Sequence, residues 1–248
     1  MSGRGAASKG GRRRRGSLIL SNGAFKSGST WVTTVARELT GAKRIPEGFQ
    51  RADWENSSFD FGDFAALVRE VQQTRGSHIA KAHFNEPEHR KAILSAYPTV
   101  RTLVTTRDMR DIIVSAYHHC MRLGQVEAEV SFDEFFWRDE VPNGRDVAAN
   151  HCAYMRTWWP EDPRIFRTTF EKLKSDPVRE IRRLSGFLGA GSTQDDILRV
   201  VDSSDFEKRK SRTGSTHLRK GAVGDYESYF DQRMLTFCGE LEESWRSS

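Results

Sequence analysis

Four times along the chain a short apolar run is followed by a stretch of helical periodicity, and this alternation narrows the choice of fold more than any other feature. The runs are residues 17–21, 78–82, 100–105 and 164–169, which read as strands. After the first come Trp31, Val32, Val35 and Leu39. After the third come Met109, Ile112, Ile113, Ala116, Tyr117 and Cys120, and after the fourth Val178, Ile181, Leu184 and Leu188. Strand then helix, repeated, means parallel strands joined by helical crossovers, so the expectation is an α/β domain with a central parallel sheet flanked by helices. Further helical patterns run through Phe64, Leu67, Val68 and Val71 behind Asp63 as N-cap, through His151, Met155 and Trp158, and through Ile197, Leu198 and Val201. The last runs through Phe230, Met234, Phe237, Leu241 and Trp245. With 248 residues, 37% of them apolar, one core suffices, and residues 17–248 read as a single domain.

Residues 1–16 stand apart. They are rich in Gly, Ser and Arg with almost nothing apolar, which reads as a disordered basic tail. Six of the 39 basic residues, Arg4, Lys9 and Arg12 to Arg15, precede the first acid, Glu38, so the net charge of +5 belongs to the tail and the body is close to neutral. No run has the make-up of a signal peptide or the length of a membrane span, and the reading is a soluble cytoplasmic protein. Cys120, Cys152 and Cys238 are odd in number and lack CxxC spacing, which points to reduced packing residues.

In open parallel sheets, ligands bind beyond the C-terminal strand ends, which directs attention to GAFKSGST, KAHF, TTRDMRD and TTFEK. GAFKSGST has the spacing of a P-loop, but Ser29 stands where that loop has lysine, and the lysine comes three places early, at Lys26. A strand turning through glycines into a helix aims free N–H groups and the positive helix end at one point, an anion site, to which Ser27, Ser29 and Thr30 add hydroxyls. With no lysine after Gly28 and no Asp-bearing strand for Mg²⁺, the loop suits a phosphate other than that of a nucleoside triphosphate. Arg107 at the third strand end and Ser115 two turns later form a second anion site. The alternative is that Arg107 pairs with Asp108 or Asp111 on the surface. Arg219, Lys220 and the Gly221 N–H lie in the polar segment 207–224, a surface loop whose role as a lid is left open.

These motifs together resemble the sulfotransferases that use 3′-phosphoadenosine 5′-phosphosulfate (PAPS). FKSGSTW resembles their 5′-phosphosulfate loop, YPKSGTTW; RDMRDIIVSAYHH resembles their 3′-phosphate motif; and LRKGAVGDYESYF resembles their RKGxxGDWKNxF signature, in the family's order. The resemblance implies a P-loop-NTPase-like sulfotransferase fold. It also implies that Lys26, Ser27, Gly28, Ser29 and Thr30 bind the 5′-phosphosulfate and that Trp31 stacks on adenine. Arg107, Ser115, Arg219, Lys220 and Gly221 would bind the 3′-phosphate, while Phe170, Ser204 and Phe206 would enclose the base. KAHF resembles the family's Lys-Thr-His-Leu, which makes His83 the general base toward an acceptor hydroxyl or amine. Lys26 would stabilise the oxygen between phosphorus and sulfur without a metal, and Lys81 would be a second cation on the sulfuryl oxygens. The product would be adenosine 3′,5′-bisphosphate (PAP) and the acceptor a small molecule. Ala24 and Phe25 replace Tyr-Pro, Tyr226 replaces Trp, and His217 stands where the family often has an aromatic ring.

His118 and His119 read as packing residues of that helix, since neighbours on a helix point apart. The aromatic segments 49–64, 132–137 and 154–159 are either core or the wall of an acceptor pocket. Two other readings stay open on sequence alone: a nucleotide kinase with an altered P-loop, which needs ATP and Mg²⁺, and a nucleic-acid-binding protein acting through the arginine tail.

Overall fold

The computed structural model describes residues 15–50, 59–205, 208 and 221–246. Of the tail 1–16, residues 1–14 therefore lie outside the described residues, as do Phe206, Arg219 and Lys220, while Gly16 is buried and its N–H donates to Thr74 O at 3.1 Å. Five strands, β1 (Ser17–Gly23), β2 (Lys43–Arg44), β3 (Ser77–Ala82), β4 (Arg101–Thr106) and β5 (Ile165–Thr169), form one sheet in the order β2-β3-β1-β4-β5. Every pairing is parallel. The four expected strands are present within two residues at each end. β2 was not foreseen, because two exposed residues carry no periodic pattern.

β1 is central and buried on both faces, so its side chains split by parity. Leu18 and Leu20 enter the larger core with Ala80, Ala82 and Val104. That core is closed by α2 (Phe64–Gln73), α3 (Pro87–Ala96), α4 (Met109–Arg122), α5 (Phe132–Trp137), α6 (Gly144–Trp158) and α10 (Gln232–Arg246). Ile19 enters the smaller core with Ile79, Leu103 and Phe166 beneath α1 (Ser29–Thr40), α8 (Pro177–Leu188) and α9 (Gln194–Ser204). A short α7 (Phe170–Ser175) follows β5 directly. The result is helix, sheet and helix in three layers.

Local details correct three expectations. Asp63 stands at the N-cap of α2 but its side chain makes no capping bond: Asp60 accepts the Gly62 N–H and caps the 3₁₀ turn Phe61–Asp63, which runs straight into the helix. On α9 the buried face carries Ile197 and Val200, while Leu198 points to solvent. Phe230 precedes α10 and packs on Phe132 and Phe136. Of the aromatic segments, 132–137 and 154–159 are core: Phe135, Phe136 and Trp158 are fully buried. Cys120, Cys152 and Cys238 are buried and unbridged. No helix among the described residues is long and apolar enough to cross a membrane.

Candidate active site

The order β3-β1-β4 brings three loops together at one edge of the sheet, the crevice where the chain departs to either side of β1. After Gly23, Ala24 N–H bonds Thr105 O on β4 at 2.8 Å, and the chain then turns sharply. Ser27 closes the turn, its N–H and hydroxyl both donating to Ala24 O at 3.2 and 2.7 Å. That hydroxyl is engaged inside the loop. Lys26 sits at φ 59°, the one non-glycine among the described residues in the left-handed region, a conformation that costs about 1–3 kcal/mol. Gly28 follows at φ 83° as the N-cap of α1, where a Cβ would come 2.9 Å from the Phe170 ring. The first N–H groups of α1, at Gly28, Ser29 and Thr30, have no intrahelical acceptor and face the loop's mouth with the positive helix end.

Two lysines and a histidine surround that point. Lys81, on β3 and buried, donates from Nζ to Thr30 Oγ1 at 3.0 Å, tying β3 to the start of α1. Burial lowers its pKa to about 8. Lys26 is likewise lowered to about 8, by burial first and then by the charges of Arg122 and Lys81. Among the described residues neither lysine meets a carboxylate. His83 is half-buried, and its Nδ1 lies 2.7 Å from Gly23 O. A carbonyl can only accept, so Nδ1 carries the proton and Nε2 keeps its lone pair. Burial, then Lys81, lowers the His83 pKa to about 4, against a smaller opposing effect of the Gly23 bond, so the ring is neutral at pH 7.

Bonds that sequence reasoning passed over, made by Asn22 and Tyr154, hold this arrangement. Asn22, fully buried on β1, clamps the KAHF loop: its Nδ2 donates to Phe84 O at 3.1 Å and its Oδ1 accepts Phe84 N–H at 2.8 Å. The Tyr154 hydroxyl, from α6, donates to Asn22 O at 2.6 Å. An asparagine at the end of an apolar strand was the available signal for the clamp; nothing local marked Tyr154. Phe25, the exposed aromatic of the loop, sets its ring centroid 6.3 Å from His83 and 5.6 Å from His119. His118 Nε2 lies 2.9 Å from the Tyr229 hydroxyl and His119 Nδ1 2.9 Å from Arg122, so the two rings have separate partners.

At the exit of β4 the Arg107 side chain is 9% exposed and pairs with Asp111 at 3.2 Å, an interior pair and not the surface one considered above. Its Nη2 also donates to Ala222 O at 2.5 Å, and the guanidinium lies 4.6 Å over the Phe170 ring. Phe170 meets Trp31 edge to face at 5.8 Å. Arg107 Nε and Trp31 Nε1 are buried without a hydrogen-bond partner among the described residues. Gly221, at φ 59°, opens the segment that returns to Arg107. Ser115 is half-buried further along α4. Ser204 is buried at the end of α9, its hydroxyl turned back to Val201 O at 3.5 Å. Among the described residues no group of three or more His, Cys, Asp or Glu side chains is placed to hold a metal.

Comparison with known proteins gives the family. A family model described as "Sulfotransferase domain" matches residues 18–243. Sulfotransferase 1E1 of Cavia porcellus is 22% identical over 228 residues, 83% of this chain and 75% of the relative. Mouse sulfotransferase SULT7A1, solved in complex with PAP, superposes with a TM-score of 0.67 at 18% identity, covering 95% of this chain and 86% of that one. A retinol dehydratase solved with retinol and PAP gives a TM-score of 0.63 at 19% identity over 94% and 81% of the two chains. With the model spanning most of its length, this chain belongs to the sulfotransferase family, the enzymes that use PAPS as sulfuryl donor.

Proposed function

We infer that the chain transfers the sulfuryl group of PAPS to a hydroxyl or amine of a small acceptor, with His83 as general base. The observation that carries this reading is the pair of desolvated lysines, Lys26 and Lys81, with no carboxylate partner among the described residues, at the N-terminus of α1 beside a neutral histidine. Buried charge without a counter-charge is costly, and a bound anion offsets that cost. PAPS supplies a sulfuryl group whose departure leaves charge on the oxygen between phosphorus and sulfur. Lys26, with the N–H groups of Gly28, Ser29 and Thr30, stabilises that charge, and the preorganised donors need no reorganisation as it develops. Lys81 steadies the sulfuryl oxygens, and His83 Nε2 takes the acceptor proton while Nδ1 stays on Gly23 O. Since Lys26 supplies the cation at the bridging oxygen, turnover is expected to proceed without Mg²⁺.

Trp31, Phe170, Ser204 and Phe206 would enclose the base, and Arg107, Ser115, Arg219, Lys220 and Gly221 would bind the 3′-phosphate. The buried Arg107 Nε without a partner supports that assignment. The exposed Phe25 ring beside His83 favours an apolar or aromatic acceptor. The deciding measurement is thermal stabilisation by adenosine 3′,5′-bisphosphate beside ATP–Mg²⁺. A ligand at 100 times its Kd stabilises by about 2.7 kcal/mol, and the bisphosphate is expected to give the larger shift. Preference for ATP–Mg²⁺ would return the kinase reading.

A further inference from the structure

One buried carboxylate beside the 3′-phosphate arginine has no role in the transfer described above. Asp111 lies one helical turn past Arg107 on α4 and is 1% exposed. Both of its oxygens are taken, by groups far apart in sequence. Oδ2 pairs with Arg107 Nη2 at 3.2 Å and accepts the Gly224 N–H at 3.0 Å, while Oδ1 accepts the Tyr226 N–H at 3.1 Å. Arg107 Nη2 closes the ring by donating to Ala222 O at 2.5 Å. One carboxylate thus joins the arginine and the returning segment in a single set of bonds. Gly224 accommodates the turn at φ 81°, and the Tyr226 ring lies 3.9 Å from the Arg110 guanidinium, so the segment is also packed on α4.

Loss of this carboxylate leaves Arg107 as an uncompensated buried charge with two N–H groups stranded. Its presence fixes the guanidinium over Phe170 with Nε unused. A phosphate that reaches Arg107 therefore meets an arginine whose orientation is set by Asp111 and by the backbone of 222–226 together. We propose that Asp111 is a positioning residue for 3′-phosphate recognition, which ties the orientation of Arg107 and the order of residues 222–226 into one equilibrium. It touches no atom of the nucleotide and acts through Arg107. The proposal rests on the donor assignment above.

The test compares adenosine 3′,5′-bisphosphate with adenosine 5′-monophosphate on the full chain by calorimetric titration. Asp111→Asn keeps the shape but presents an NH₂ where a donor already stands. Affinity for the bisphosphate is expected to fall about 10- to 100-fold, the range for a stranded buried donor, with the monophosphate unchanged. Amide exchange in the wild-type protein gives a second readout that survives a misfolded variant: Gly224 and Tyr226 should be protected by the bisphosphate and not by the monophosphate. A folded Asp111→Asn that keeps the wild-type discrimination, or equal protection by both nucleotides, overturns the proposal and leaves the donor assignment standing. A wild-type protein that binds both nucleotides equally removes the donor assignment and the proposal with it.

Discussion

The exits of β1 and β3 and the exit of β4 both gather positive charge at one edge of the sheet, but they hold it in opposite ways. At the first, Lys26 and Lys81 have no carboxylate among the described residues, and burial lowers both to about 8. At the second, Arg107 is paired with Asp111 and bonded to the backbone of Ala222. Lysine is a compact cation whose charge can be lost on burial, whereas arginine stays charged and directs its donors in a fixed plane. Under the function proposed above, the difference matches two tasks. A bond-breaking end needs an uncommitted cation to meet charge that appears during the reaction, and a recognition end needs fixed geometry before the ligand arrives.

The most severe way to break the comparison is at the first exit. His83→Ala should lower kcat about 100- to 10,000-fold while the Kd for adenosine 3′,5′-bisphosphate stays close to wild type, because a general base acts only in the transition state. Equal loss in kcat and Kd would show instead that the ring shapes the loop through Gly23 O.

Acidity separates the exits next. A bound anion favours the charged lysines, so nucleotide affinity should be full below about 8 and fall above it, by about tenfold per pH unit for each lysine that must carry its proton. A variant with both lysines changed to methionine should lose that dependence and keep whatever contribution Arg107 makes. On the acid side, His83 should hold its activity as pH falls through the ordinary histidine range and lose it only near 4. An acid limb near 6.5 in kcat/KM would show that burial does not set the base.

The smallest effect sharpens the loop itself. Gly28→Ala puts a methyl at φ 83° against the Phe170 ring, and Gly41→Ala puts one at φ 63° in open space. The first should cost about 1–3 kcal/mol and the second about 1 kcal/mol, each read as about 2–4 °C of Tm per kcal/mol for a chain of this size. Equal shifts would mean that the contact with Phe170 adds nothing to the backbone strain.

How much of this could be read in advance depended on the range of the interaction. The strands of the central sheet and helices α1, α4 and α8 were legible because burial on one or two faces writes a periodic pattern into neighbouring residues. The two-residue β2 wrote none, and α3 has a weak apolar face, with only Ile93 and Leu94 buried. The loops at the strand ends could be placed because a parallel sheet puts its ligands there, and their glycine, lysine and hydroxyl content is local chemistry. The bonds of Asn22 to Phe84, of Tyr154 to Asn22 and of Asp111 to Gly224 were not legible, since each joins groups 60 or more positions apart, whereas the pairing of Asp111 with Arg107 is local and could be foreseen.

The sequence by itself determined the α/β class, the strand-to-helix turns and the identity of the donors, because each follows from residues within a few positions of one another. Tertiary structure alone decided the state of those donors. Lys26 and Lys81 are weak bases because other elements bury them, His83 is neutral because it is buried beside cations, with its Nδ1 proton fixed on Gly23 O, and Arg107 is fixed because a carboxylate on α4 also holds residues 224 and 226. Charge and orientation depend on what surrounds a side chain in space, and no short stretch of sequence carries that.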